Sequence, residues 1–234
     1  MHWRDGRPRE PALSLVEGSS RAGRPTPHHS LGPVTLLDPG FFNVDPRKVA
    51  RALLGKLLIR KTRRGILAGR VVETEAYLGE GDAAAHAVAG KTARNFVLWG
   101  PPGYAYVYFI YGNHFCLNVS CLPDGVPGCV LFRALEPVSG IEEMAKARDI
   151  EVQRESDLKK ISSGPGRMSE ALGITRDRDN GKSLVSAKSD LQLVDDGYRV
   201  RRVNVTPRIG ITKSAEQPLR YVIGGNPFVS GGKL

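Results

Sequence analysis

Gly100-Pro-Pro-Gly-Tyr-Ala-Tyr-Val-Tyr-Phe-Ile-Tyr-Gly-Asn-His-Phe-Cys-Leu-Asn-Val-Ser-Cys121 carries the strongest structural signal in the chain. The Gly/Pro cluster marks a turn at its entry. Tyr104–Tyr111 and Phe115–Cys121 are rich in aromatic and β-branched residues, which favour strands, and Gly112-Asn113 lies between them. The stretch therefore predicts a long, protruding β-hairpin. Four of the seven tyrosines fall within Tyr104–Tyr111. Such a run either packs as an aromatic face or offers rings and hydroxyls on which a nucleobase can stack.

Upstream, Asp45-Pro46 reads as an N-cap followed by Pro at the first helical position, with Val49, Leu53 and Leu54 on one face. Strands are expected at Leu57–Lys61 and Gly65–Tyr77, turning near Arg63-Arg64-Gly65. Four of the five positions 60–64 are cationic, which fits a solvated tip or a phosphate contact equally. Downstream, Cys129–Leu135 reads as a strand ended by Pro137. Ser139 and Glu142 form a capping-box pattern for a helix reaching Arg148. A second short helix fits Arg167–Leu172, Asp177–Gly181 reads as loop, and strands follow at Leu191–Val194, Arg199–Val205 and Arg220–Ile223. Strands outnumber helices and are mostly hairpin-linked. The class is α+β, a single domain with a mainly antiparallel curved β-sheet and several short helices.

Residues 1–30 differ in composition. Eleven are Gly, Pro or Ser, five are Arg, and the apolar positions have no period. A disordered basic leader is expected there, with the folded domain over 31–234. Over the whole chain of 234 residues, 41% are hydrophobic and 25% charged, as in ordinary globular proteins. The net charge of +10 favours a polyanionic partner such as nucleic acid or an acidic membrane surface. No apolar run approaches the ~20 residues of a membrane helix; of the two anionic partners, nucleic acid is expected and a membrane is not. Three cysteines, Cys116, Cys121 and Cys129, lack Cys-x-x-Cys spacing and read as reduced thiols rather than a disulfide framework or zinc ribbon.

Chemistry concentrates in Val71-Val-Glu-Thr-Glu-Ala-Tyr77. Strand alternation sets Glu73, Glu75 and Tyr77 on one face and Val72, Thr74 and Ala76 on the other. The neighbours on both faces are apolar, so these acids are expected to be buried and to need a task or a cationic partner. Arg133, the one charge in Cys129–Leu135, is the available partner. Gly90-Lys91-Thr92 is not a phosphate-binding loop, because Ala85 stands where that motif needs glycine. His114 with Cys116 and Cys121 lacks the spacing of a closed zinc site.

Val72–Tyr77, Ala85-His86-Ala87, Thr92-Ala-Arg-Asn95, Gly100–Gly112, Phe115–Asn118 and Leu131–Pro137 occur in one fixed order. Together they resemble the alkyladenine (3-methyladenine) DNA glycosylase family. Ser163-Gly-Pro-Gly166, Pro207–Gly210 and Gly225–Ser230 extend the resemblance over roughly residues 35–230. It implies a monofunctional hydrolase that flips alkylated or deaminated purines out of duplex DNA and leaves an abasic site, with no metal or cofactor. Glu75 would be the general base that activates water, and Arg133 would help position it. Tyr77, His86, Tyr108 and Asn118 would line the base pocket, and Tyr111 would fill the gap left in the duplex. Of the two glutamates, Glu73 is expected to matter much less. Asn113 and the Phe96–Trp99 segment depart from the family pattern near the duplex wedge. No lysine stands at the catalytic positions, which argues against a Schiff-base lyase step.

Those roles constrain the hairpin. A two-residue turn through Gly112-Asn113 would put Tyr108 and Asn118 on opposite faces. A three-residue loop Gly112-Asn113-His114 would pair Tyr111 with Phe115 and set Tyr108 opposite Asn118, so the longer loop is expected. Asn118 could then fill the space that guanine's 2-amino group needs. Double-stranded DNA containing damaged purines is the expected partner, bound by a monomer, in the cytoplasm of a bacterium or the nucleus of a eukaryote. Two other readings are a non-catalytic nucleic-acid-binding protein and a carbohydrate hydrolase using Glu73 and Glu75 as a pair. Alternate strand positions lie about 6.6 Å apart, within range for such a pair.

Overall fold

Nine β-strands among the described residues hydrogen-bond into one sheet, and its branching point is what buries the glutamates. The computed structural model describes residues 31–110 and 112–231; the expected leader, 1–30, and Tyr111 lie outside them. Helix α1 (Pro46–Leu53) begins as expected: Asp45 accepts from the Arg47 N–H, and Val49, Ala50 and Leu53 are buried. β2 (Leu57–Thr62) and β3 (Gly65–Tyr77) form the first hairpin. Beyond residue 70, β9 (Arg220–Ile223) replaces β2 along β3, pairing with Glu73–Glu75, while β6 (Cys129–Ser139) follows the other edge. The Glu73–Glu75 segment is thus flanked by strands on both sides, and both acids are fully buried.

The long hairpin comprises β4 (Ala105–Ile110) and β5 (His114–Ser120), and β5 pairs with β6. Ile110 faces His114, so His114 belongs to β5 rather than to the expected 112–114 loop. Gly112 in the left-handed region (φ 74) and the Asn113 N–H donating to the Ile110 carbonyl at 3.4 Å close the loop one residue early. Tyr106, not Tyr108, is therefore opposite Asn118, and Tyr108 faces Cys116. Because the register moves by two in the sum of paired numbers, Tyr108 and Asn118 still share a face. The outer edge of β4 is covered by the 180–182 segment: Gly181 and Lys182 exchange backbone bonds with Ala105, and the Asn180 side chain accepts from the Val107 N–H.

Elsewhere the short elements shift. β6 runs through Pro137 to Ser139, because Pro137 falls at a register irregularity opposite Gly69 where no ladder donor is required. Gly140, not Ser139, caps α2 (Ile141–Ala147), and the Ser139 hydroxyl donates instead to the Ile66 carbonyl. α3 (Leu158–Ser162) has no equivalent in the sequence reading, α4 covers Pro165–Ala171, and 176–179 is a single turn, α5 (Arg176–Asp179), capped by Thr175. The last strands are β7 (Leu191–Asp195) and β8 (Val203–Thr206), the latter starting four residues later than expected. β1 (Thr35–Leu36) adds to β7 at the far end. Arg60 is not part of the cationic tip. It is fully buried and bidentate on Asp179, while Lys61, Arg63 and Arg64 are exposed. Among the described residues, no helix is long and apolar enough to cross a membrane.

Candidate active site

One transverse row of the sheet underlies the site. Tyr106 on β4 pairs with Asn118 on β5, Asn118 with Leu131 on β6, Leu131 with Glu75 on β3, and Glu75 with Arg220 on β9. Paired residues project from the same face, so five strands contribute to one line of side chains. Above that face lies a cavity of about 440 Å³ whose wall includes Tyr77, His86, Tyr108, Asn118 and Arg133. The Gly164–Arg167 and Ile209–Ile211 segments close its other side.

Arg133 is aimed by a bulge. Glu73 pairs with Ala134 and Thr74 with Phe132, leaving Arg133 as the extra residue on β6. Bulges of this kind redirect a side chain beside a site. Its guanidinium spans both acids, with Nε 2.9 Å from Glu73 Oε1 and Nη1 3.2 Å from Glu75 Oε1. Glu75 Oε1 also accepts the Ile209 N–H at 2.8 Å, and Oε2 accepts the Tyr77 hydroxyl at 3.0 Å. Burial pushes the Glu75 carboxyl above its ordinary value, a rise that Arg133 and these two donors only partly offset. Burial and the adjacent carboxylate also push Tyr77 up, so it remains a hydroxyl donor. Arg133 keeps its proton firmly: burial opposes its charge, but Glu75 and Glu73 outweigh that.

Glu73 is used differently. Oε1 accepts from Arg133 Nε, from Arg220 Nε at 2.7 Å and from the Ser230 hydroxyl at 3.0 Å, and Oε2 accepts the Ser230 N–H at 2.6 Å. Saturated and sealed, it cannot serve as the second carboxylate of a paired-glutamate carbohydrate hydrolase.

The walls are aromatic. The His86 ring meets Tyr108 edge-on at 4.5 Å between centroids, and its Nδ1 lies 2.8 Å from the Tyr106 hydroxyl. Burial, with the charge of Arg94 behind it, lowers the His86 pKa and keeps the imidazole neutral near pH 7. Asn95 builds the loop that presents His86, donating to the carbonyls of His86 and Gly90, both at 3.0 Å. Asn118 is buried, its amide donating to the Tyr106 carbonyl at 3.2 Å. Gly166 lies so close to the His114 ring that a Cβ there would stand 2.8 Å from Cγ, which ties α4 to the root of the hairpin.

Residues 40–227 match the family model described as methylpurine-DNA glycosylase (MPG). The chain belongs to the methylpurine-DNA glycosylase family. It is therefore a DNA glycosylase, a hydrolase of base excision repair whose substrate is DNA. A protein of Koribacter versatilis (strain Ellin345) is 66% identical over 205 residues, which is 88% of this chain and 98% of that one. One from Burkholderia cenocepacia (strain HI2424) is 44% identical over 200 residues, covering 85% and 93%. One from Methanocella arvoryzae is 45% identical over 193 residues, covering 81% and 93%. All three carry the name "Putative 3-methyladenine DNA glycosylase".

In the glycosylase, Tyr77, His86, Tyr108, Asn118 and Arg133 gather on one cavity, with Glu75 directly behind them. Tyr111 lies outside the described residues. Three contributors were not singled out from the sequence. Tyr106 orients His86, and its position in the tyrosine run was the signal. Ile209 supplies a backbone donor, which no side-chain pattern encodes. Arg208 pairs with Asp82, Nη2 to Oδ1 at 2.8 Å, and stacks over the Tyr77 ring at 4.6 Å. It lay in the quoted Pro207–Gly210 motif, but nothing in that motif announced its partner 126 residues away.

Proposed function

We propose that this glycosylase receives an alkylated or deaminated purine, turned out of duplex DNA, in the cavity of about 440 Å³ and hydrolyses its N-glycosidic bond with water activated by Glu75. The observation that carries this reading is the Glu75 carboxylate. It is buried behind the cavity floor, its proton affinity is raised, and one Arg133 nitrogen lies 3.2 Å away. A base with raised affinity accepts a proton more readily than an ordinary surface carboxylate. As the C1′–N bond breaks, its electron pair leaves with the purine and the sugar becomes oxocarbenium-like. The water oxygen bonds to C1′, its proton passes to Glu75, and the carboxylate charge stabilises the cationic sugar until then. Arg133 Nη1, shared between Glu75 and the Ile209 carbonyl at 3.4 Å, steadies the carboxylate.

Tyr108, His86 and Tyr77 are assigned to the walls, where ring faces favour an electron-poor or cationic purine. Asn118 is assigned to the exclusion of guanine's 2-amino group, and Tyr111 to the space vacated in the duplex. No lysine lines the cavity among the described residues, which supports simple hydrolysis without a Schiff-base step. The enzyme is read as a monomer. The test is Glu75→Gln, nearly isosteric but unable to take the proton. Single-turnover release of 3-methyladenine from alkylated duplex is expected to fall by about 10²-fold or more, with lesion-DNA binding retained. Near-normal release would remove Glu75 from this role.

A further inference from the structure

Glu73, expected from the sequence to matter less than Glu75, is among the most heavily hydrogen-bonded side chains near the cavity. Glu73 collects four donors from three separate parts of the chain: Arg133 on β6, Arg220 on β9, and both the N–H and the hydroxyl of Ser230. Arg220 is held in turn, Nη1 at 3.1 Å from Thr206 Oγ1 and Nη2 at 2.9 Å from the Ser230 carbonyl. The Glu73 carboxylate is thus a fixed point, and the Arg133 Nε bound to it leaves one direction for Nη1, towards Glu75. We propose that Glu73 is a positioning residue of the excision reaction, fixing Arg133 against Glu75 and supplying part of the field in which Glu75 takes its proton. The proposal rests on Glu75 being the general base.

The charged and titratable groups around Glu75 come from every packed element. β3 contributes Glu73 and Tyr77, β6 Arg133, β9 Arg220, β5 Cys116, and the 207–211 segment Arg208 with its partner Asp82. Tyr77 and Cys116 are both pushed up by burial and stay protonated. Arg208 and Asp82 neutralise each other within one ion pair. The charges that bear most directly on Glu75 are therefore Arg133 and Glu73, the latter held by Arg220. Removing the Glu73 charge takes away a like charge and leaves Arg133 less compensated. Both changes make Glu75 easier to ionise.

Two substitutions separate charge from reach. Glu73→Gln keeps the length and loses the charge. The acid limb of the single-turnover pH profile should move to lower pH by about 0.5–1 unit. Glu73→Asp keeps the charge but withdraws it by about one bond. The limb should stay in place while the plateau rate falls about tenfold or more, because Arg133 is no longer held at its working distance. Rates are taken with 3-methyladenine-containing duplex, at a temperature where circular dichroism shows each variant folded. An unmoved limb in the Gln variant, or a wild-type plateau in the Asp variant, overturns the proposal. If the Gln variant does not fold, the Asp plateau alone decides. Glu75→Gln serves as the control. If the acid limb persists in its residual activity, Glu75 is not the base and the proposal falls with that reading. If the limb disappears there yet stays unmoved in Glu73→Gln, the proposal alone fails.

Discussion

The molecule contains two buried arginine–carboxylate clusters that look alike in composition and differ in every property that matters for chemistry. Around Arg60, Asp179 takes Nη1 and Nη2 at 3.0 and 2.7 Å, the Leu172 carbonyl takes Nε, and Asp190 takes Nη1 at 3.1 Å while also accepting from Arg178 and Lys182. Burial alone would raise Asp190, but hydrogen bonds from Lys182 and Arg178 and the charge of Arg60 outweigh it and hold the carboxyl well below its usual range. Around Arg133, one carboxylate is saturated and the other, Glu75, sits above its usual range beside a cavity. Burial of a charge is common to both. What separates a site from a strut is a carboxylate buried just behind a cavity with its proton affinity raised.

Asp179→Asn should produce the largest effect on stability, because it takes the fully buried counter-charge from Arg60 and leaves only the partly exposed Asp190. A loss of about 3–5 kcal/mol is expected in urea titrations. Excision by the folded fraction should fall far less than in Glu75→Gln. An equal loss of excision would break the distinction between the two clusters.

Acid should separate them as well. Glu75 has a raised folded-state pKa, so its contribution to stability is present at low pH and lost as pH rises through that value. Asp190 has a depressed one, so its contribution is present above the unfolded value and lost only as pH falls far below it. On acidification, excision is therefore expected to fail first, about tenfold per pH unit below the Glu75 value, while the circular dichroism spectrum holds. Coincident loss of activity and fold would contradict the assignment.

Asn118 lies in the same row as Glu75 but outside either cluster. Asn118→Ser should leave the acid limb unmoved and shift preference towards guanine-derived bases by about 1–3 kcal/mol, read from competing release of purines. An unchanged ratio would reduce Asn118 to packing. The smallest effect is expected from deleting residues 1–30, which precede the family match beginning at residue 40. Excision should stay within about twofold, and any loss should be in salt-sensitive binding to undamaged duplex.

How much of this was legible depends on the range of the interaction. Alternation within Val71–Tyr77 put both glutamates on one face, and the isolated charge of Arg133 named its partner, because burying either without the other is costly. The hairpin was legible from its tyrosines and turn residues, yet its loop closed one residue early, since composition does not distinguish where Gly112 sits within the turn. The residues alone did not tell Glu73 from Glu75; only the family resemblance separated them. Two identical acids on one strand differ only through Arg220 and Ser230, which are brought to Glu73 by β9 and the segment after it. Arg60 was misread for the same reason: four adjacent cations look alike until Asp179 claims one of them.

The row running from Tyr106 through Asn118, Leu131 and Glu75 to Arg220 has a consequence for the timing of biosynthesis. A nascent chain that has emerged only through β6 already carries Glu75, Arg133 and the tyrosine hairpin. It still lacks the Ile209 amide, the Arg220 guanidinium and the Ser230 donors that fix the two carboxylates. The full donor set of the two carboxylates therefore forms only when the segment through residue 230 has docked against β3.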